Sequence, residues 1–323
     1  MYVKATVMLL LFLTPIVLIP LQLLGTWSVV PLYALIGLGS AGIGLCVMHD
    51  ANHGSFSSNK SLNKVMSFTM NLIGGSAFTW KMQHNVLHHT YTNIYEMDED
   101  IHDKPGLRLS PHGKQRWYHK LQHIYFPALY SLATLSWVLL KDFRQLKAYN
   151  KEGLTDKYGY NRHKQTWLMI ATKLVYLGAI IALPIAVGVP VWAVVIGFVV
   201  AHMISGLYIT TVFQLAHVVE GPEHFVPAPG GTMEDTWAEH QIRTTANFAS
   251  RSALVTWLTG GLNHQIEHHL FPHICHVHYQ KISRIVRETA AEFDLPYYEH
   301  KRVGEAIASH IRVLRAFGTA PAA

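Results

Sequence analysis

"VWAVVIGFVVAHMISGLYITTVFQLA", from Val191 to Ala216, runs without a single acidic side chain. A hydrocarbon layer about 30 Å thick takes roughly 20 helical residues, so the stretch reads as a bilayer-crossing helix. Runs near Val3–Leu24, Val29–Met48 and Trp167–Val187 have the same character. The chain is 50% hydrophobic and 14% charged, against about 25% charged in a soluble domain. The first run carries only Lys4 at its start, shows no small-residue cleavage site and leads straight into another apolar run. It is therefore expected to be a retained span and not a signal peptide.

Charge distribution sets the expected topology. Thirteen of the 26 Lys and Arg fall between Lys81 and Lys164 and nine lie beyond Ala216, while the links Gly25–Ser28 and Gly188–Pro190 have none. By the positive-inside rule the basic stretches, 49–166 and 217–323, face the cytoplasm. The net charge of +6 then reflects topology and anionic headgroups, not nucleic acid. No repeat, low-complexity tract or long linker divides the chain, and Cys46 and Cys275 are too few for a disulfide framework. The expectation is one all-α integral membrane domain over 1–323, with about four transmembrane helices, interfacial helices and a cytoplasmic cap.

The stretch after Ala216 begins with His217, and "HVVEGPEHFVPAPGG" reads as a loop; "KPGLRLSPHG" is turn-like. "YQKISRIVRETAAEF" reads as an amphipathic helix with Ile282, Ile285, Val286 and Phe293 on one stripe. Two shorter apolar runs, Val65–Phe78 and Ile124–Leu140, are expected to lie in the interface or re-enter. That follows if the histidine clusters share one membrane face, since an even number of crossings must then separate them.

Those clusters dominate the 22 histidines. His49 and His53 form HxxxH; His84, His88 and His89 form HxxxHH; His264, His268 and His269 form HxxxHH again, inside "NHQIEHHLFPHICHVH" (Asn263–His278). A chance HxxxHH is expected only about 0.1 times in such a chain. Residues at i, i+3 and i+4 share a helix face, so each group aims two or three imidazoles at one point. Such grouping points to metal. His217 ends the last span level with the three clusters, which makes it a further candidate ligand. His273, His276 and His278 fall off the ligand face and read as structural.

Ligand type alone admits Zn, Cu, Fe or Ni. The zinc-protease HExxH motif is absent. So many imidazoles exceed one ion's needs, and two ions able to take six ligands are the economical count; iron is the metal whose pair would serve by activating dioxygen. The carboxylate route to two irons needs paired Glu-x-x-His motifs, and the chain offers only Glu99–His102, in the acidic run "EMDED" region. Asp50, Asn85, Asn263 and Glu267, placed within the boxes, are candidates to accept imidazole N–H bonds.

With "HDANH", "HNVLHH" and "NHQIEHHLFP" in order, the chain resembles the membrane fatty acid desaturases, from about Val29 to Tyr298. "GGLNHQIEHHLFP" is most similar to the front-end subgroup, whose third box begins with glutamine. The resemblance implies a di-iron centre on His49, His53, His84, His88, His89, His217, His268 and His269. Gln265 would stand where other members have the box's first histidine, with His264 one residue earlier; helical spacing permits either to complete or support the set. The resemblance further implies O2 as co-substrate, removal of hydrogens from two adjacent methylenes, and a cis alkene in an acyl-CoA or acyl-lipid. It places the site on the cytoplasmic face of a multi-pass membrane protein.

The sequence has no His-Pro-Gly-Gly haem motif, so electrons are expected from an external ferredoxin or a cytochrome b5 with its reductase. Lys81, Arg108, Lys114, Arg116 and Lys120 are surface candidates to hold a coenzyme A phosphate, an anionic lipid or an acidic electron carrier. Gly37, Gly39, Gly42 and Gly44 serve either an acyl chain or close helix packing. Two other readings compete: a membrane hydroxylase of the same metal architecture, and a histidine-rich metal transporter or sensor, which would instead string its ligands along facing spans.

Overall fold

The computed structural model describes every residue except Asp103, Pro105, 228–232, Glu234, Ala322 and Ala323. Parts of the turn-like Lys104–Gly113 stretch and of the loop after His217 therefore lie outside the described residues. The described residues are mostly helical, with one pair of short parallel strands among them, β1 (Ala246–Phe248) and β2 (Tyr298–His300). It divides into two compact units, the first Met1–Asn52, Asn59–Lys81 and Tyr130–Ile209, the second His53–Ser58, Met82–Leu129 and Thr210–Ala323.

Among the described residues, four helices are each long and apolar enough to cross a membrane: Tyr2–Leu21, Thr26–Asn52, Arg162–Ala186 and Val191–His217. They are the four expected spans with shifted ends. The second continues past Met48 through a π-helical turn, Gly44–Met48, so that His49 belongs to its last turn. Neither shorter run is one continuous span. Val65–Phe78 is spread over three short helices, and Ile124–Leu140 is interrupted at Leu132 between Gln122–Ser131 and Ala133–Ser136.

Within the first unit Gly37, Gly39, Gly42 and Gly44 serve packing. A Cβ on Gly39 would stand 2.5 Å from the backbone nitrogen of Phe12, and one on Gly37 the same distance from the Ala201 carbonyl oxygen; Gly42 faces Met8 and Gly44 faces Ile209. Apolar surface gives helices no reason to associate in lipid, so small residues that let backbones approach are the expected device. The acyl-chain reading of this stripe therefore yields to the packing one. The same unit buries an ion pair. Lys173 Nζ, on a spanning helix, lies 2.8 Å from Asp142 Oδ2 and donates to the Gly74 carbonyl at 2.8 Å. Asp142 also accepts from Thr79 Oγ1 at 2.5 Å and Trp137 Nε1 at 2.8 Å.

The second unit is tied by polar clamps. Arg108 was expected on a basic surface, but its side chain is fully buried. The guanidinium donates to the carbonyls of Phe317 at 2.5 Å and Ala320 at 2.7 Å, satisfying the free end of the helix Val303–Thr319. Lys114, Arg116 and Lys120 remain exposed. The amphipathic helix appears as Tyr279–Glu292, with Ile282 and Val286 packed against Ile242 and Ile266. Ile285 and Phe293, placed on the same stripe by the sequence, are 63% and 71% exposed. The buried stripe is thus narrower than expected and carries Val286 and Ala290.

Gly39→Ala is expected to lower stability by about 1–3 kcal/mol through overpacking, whereas Gly178→Ala, whose Cβ would meet nothing within 4 Å, should be neutral. Thermal unfolding of the two variants in detergent checks the contrast; equal midpoints would remove the packing role.

Candidate metal centre

Histidines of all three boxes and His217 are deeply buried. In the second unit, one ring nitrogen each from His88, His217 and His269 lie mutually within 4.8 Å, and the same holds for His53, His84 and His268. His89 joins the latter, its Nε2 standing 3.2 Å from that of His84 and 3.1 Å from that of His268. His49 belongs to the first unit, buried edge-on to Trp80 with ring centroids 5.6 Å apart.

The first trio has the clearest chemistry. His88 Nδ1–H donates to the Asp98 carboxylate at 3.0 Å, His269 Nδ1–H to Gln241 Oε1 at 2.7 Å, and His217 Nδ1–H to the Thr244 carbonyl at 3.3 Å. In a neutral ring, an N–H fixed on one nitrogen leaves the other as the lone-pair nitrogen. In all three rings that other atom, Nε2, is buried and has no hydrogen-bond partner among the described residues. Three bare lone pairs converging in a dry pocket suit a cation.

Burial disfavours charge on His88, but Asp98 and Asp100 beside it outweigh that and raise its pKa to about 8; the surroundings favour positive charge at this ring. His269 is driven the other way, by burial first and then by the neighbouring imidazoles, and stays in the neutral form that coordinates.

Local backbone chemistry places these rings. The second box lies on a π-helical segment, Lys81–His88, and not on the α-helix assumed from its spacing. The wider i→i+5 turn lets His88 and His89 flank the line of His84, and π-turns of this kind recur at functional sites. Asp98 is held by the backbone N–H groups of Asn93 at 2.9 Å and Asp100 at 2.8 Å. Asn93 takes a left-handed conformation, φ 56°, which asparagine tolerates. Its amide Nδ2 lies 3.0 Å from the Glu223 carbonyl, 3.2 Å from that of Thr244 and 3.3 Å from that of His217.

Gln241 rides on the helix Trp237–Arg243, opened by a capping box between Thr236 and Glu239. That helix is braced on the second box by Trp237 Nε1, donating to the His89 carbonyl at 3.2 Å, and by His240 Nε2, donating to that of Thr92 at 2.7 Å.

The third box begins its helix at Gln265, so His264 is the residue before the helix and the i, i+4 argument for it fails. Both ring nitrogens of His264 and both amide atoms of Gln265 are buried without a hydrogen-bond partner among the described residues, but His264 joins none of the convergent groups. Glu267 was expected to orient an imidazole. Its carboxylate is instead engaged by Asn247 Nδ2 and Tyr297 hydroxyl, both at 2.8 Å, and stands 3.7 Å from His264 Nδ1. Asn263 also departs from expectation, donating to the Ala249 carbonyl and Thr256 hydroxyl and accepting from Thr259. Both residues are drawn off because they face β1 and the preceding turn, where backbone and side-chain polar groups need partners.

Asp50 stands 3.6 Å from His49 Nδ1, and Asn85 is half-buried within the π-turn. His273 Nδ1 donates to the His53 carbonyl at 3.1 Å, His276 is buried against Gly261, and His278 is exposed.

The orienting residues that sequence reasoning missed are Asp98, Asp100, Gln241, Thr244 and Tyr279, whose hydroxyl lies 3.2 Å from His268 Nδ1. Only the first two left a signal, the acidic run that begins seven residues after the second box.

Comparison with known proteins agrees with this geometry. The fatty acid desaturase family profile matches residues 25–301. A sn-1 linoleoyl-lipid 6-desaturase of Synechocystis sp. is 37% identical over 94% of this chain and 82% of its own length. The protein of the same description from Arthrospira platensis is 36% identical over 89% and 77%, and an acyl-lipid (8-3)-desaturase of Physcomitrium patens is 35% identical over 87% and 59%. The chain belongs to the fatty acid desaturase family. It is a membrane oxidoreductase that desaturates fatty acyl chains.

Asp98→Asn keeps the shape but weakens the acceptor that holds His88. Loss of such an orienting partner lowers metal affinity by about 10–100-fold, and metal content after dialysis against a graded chelator series measures it; unchanged retention would strip Asp98 of this role.

Proposed function

We propose that the protein is an O2-dependent acyl-lipid desaturase with two irons. The single observation that carries the metal reading is the convergence of the bare Nε2 atoms of His88, His217 and His269. The second ion falls to His53, His84, His89 and His268, joined by His49 through the HxxxH spacing to His53. The residues fit such a group: at His88, His217 and His269 an acceptor engages each Nδ1 and leaves each Nε2 buried without a hydrogen-bond partner among the described residues. The choice of iron rests on family membership, because imidazole alone suits several metals.

Bound there, the irons would supply the redox chemistry, activating O2 and removing hydrogens from two adjacent methylenes to leave water and a cis alkene. The protein's own share is orientation. Asp98, Gln241 and the Thr244 carbonyl fix three ring tautomers, and Tyr279 faces a fourth ring. Gln265 supports or completes the set ahead of His264, since it shares the helix of His268 and His269. Under this reading 1–323 works as one desaturase domain with its site on the cytoplasmic face, where the basic stretches place it. Electrons arrive from a separate ferredoxin or cytochrome b5. A lipid-linked acyl substrate is supported by the names of the relatives, which are lipid desaturases.

Two measurements test this. Cells expressing the chain should accumulate a new cis-unsaturated acid, located by gas chromatography with mass spectrometry, and cells expressing His88→Ala should not. A hydroxy acid in its place would assign the hydroxylase reading. In the purified protein, Gln265→Leu should lower iron retention against a chelator, while His264→Leu retains the wild-type iron content; the reverse order would make His264 the supporting residue.

A further inference from the structure

A cleft of about 130 Å³ opens within the first unit, lined by no histidine of the three boxes. Its walls include Lys64, Ser67 and Phe68 from the helix Lys60–Ser67 and its end, Lys81 beyond Ala77–Trp80, and Gln165 and Leu168 from the start of a spanning helix. A hydrocarbon core takes about 20 helical residues, and Arg162–Ala186 has 25. Its first turns therefore lie at the level of lipid headgroups.

The helix Lys60–Ser67, capped by Asn59, is strongly amphipathic. Val65 and Phe68 are 62% and 48% exposed beside the cleft, the arrangement of a helix lying in a membrane interface.

Charge in the cleft has one sign. Lys81 is only half-exposed, and neither it nor Lys64 forms an ion pair with a carboxylate among the described residues. Burial, followed by the Lys64 charge, lowers the Lys81 ammonium below its usual value. Two cations held together in a partly dry cleft without an anion are a cost that an anionic ligand would remove. The polar residues Ser67, Asn71, Ser76 and Gln165 line the same space.

We propose that this cleft binds the phosphate of an anionic phospholipid headgroup, with Lys64 and Lys81 as its cationic partners and the acyl chains passing along Phe68 and Leu168. The proposal does not depend on the substrate assigned to the metal centre. Ser67 contributes less than its position suggests, since its hydroxyl donates to Asn52 Oδ1.

The test uses the full-length protein, purified in neutral detergent and titrated with phosphatidylglycerol or phosphatidylcholine under native mass spectrometry. Each lysine near an anionic headgroup weighs about five-fold in affinity. Wild type should prefer phosphatidylglycerol; Lys64→Gln should lose about five-fold and Lys64→Gln/Lys81→Gln about 30-fold, while Lys60→Gln, outside the cleft, keeps the preference. Lys64 is exposed, so its single variant folds even where the double one does not. An unchanged preference in Lys64→Gln, with an unchanged melting midpoint, would overturn the proposal. So would displacement of the lipid by equimolar glycerol 3-phosphate or coenzyme A, which would make the ligand a soluble phosphate.

Discussion

A buried imidazole can coordinate a cation only through a nitrogen that nothing else uses, so its other nitrogen must be held from outside. Much of the second unit is arranged around that requirement. Leaving a buried polar atom without a hydrogen bond costs about 1–3 kcal/mol, and native proteins rarely accept it. Here the Nε2 atoms of His88, His217 and His269 carry that cost together, at one point, with all three Nδ1 atoms occupied. Random misfit would scatter such atoms; convergence marks a site. The supporting acceptors are chemically unlike one another, a carboxylate, a side-chain amide and a backbone carbonyl, and each fixes the same tautomer.

These acceptors also explain features that look unrelated to metal. Asn93 must adopt a left-handed turn so that the chain doubles back and its N–H meets Asp98. The helix Trp237–Arg243 must sit against residues 89–92 for Gln241 to reach His269. Strand β1 must stand beside the third box, where Asn247 Oδ1 accepts the Ile266 N–H at 2.9 Å and its Nδ2 engages Glu267. Glu267 is thus absorbed in holding the helix in place, which positions His268 and His269 without touching their rings.

The histidines were legible because their spacing is local: four residues of chain bring imidazoles together whether the turn is α or π. Even so the spacing misled at two points. HxxxHH on Lys81–His88 is wound as a π-helix, and His264 falls just before a helix whose start the sequence did not mark. The orienting groups were largely illegible for a different reason. Gln241 and His269 are 28 residues apart, and Thr244 and His217 are 27 apart; no short-range pattern records such pairs. Arg108 shows the same limit in reverse. A basic residue in a polar stretch reads as surface, and only the return of the chain's last helix, more than 200 residues later, buries it against carbonyls.

The spans were legible through hydropathy, yet hydropathy does not explain what holds them together. In lipid a helix gains nothing by hiding apolar surface from an apolar solvent, so association must come from close backbone approach and from polar groups that lipid cannot satisfy. Gly37 and Gly39 provide the first, each admitting a backbone atom where a Cβ would clash. Lys173 provides the second. Its helix passed as an apolar run because one lysine barely moves a mean over many residues, but an unpaired ammonium there would be costly. Its contacts, Asp142 and the Gly74 carbonyl, lie on two separate segments. A charge that averages out in the sequence therefore fixes the packing of three pieces of chain, and Asp142, accepting also from Thr79 and Trp137, leaves that helix one position in which its lysine is paired.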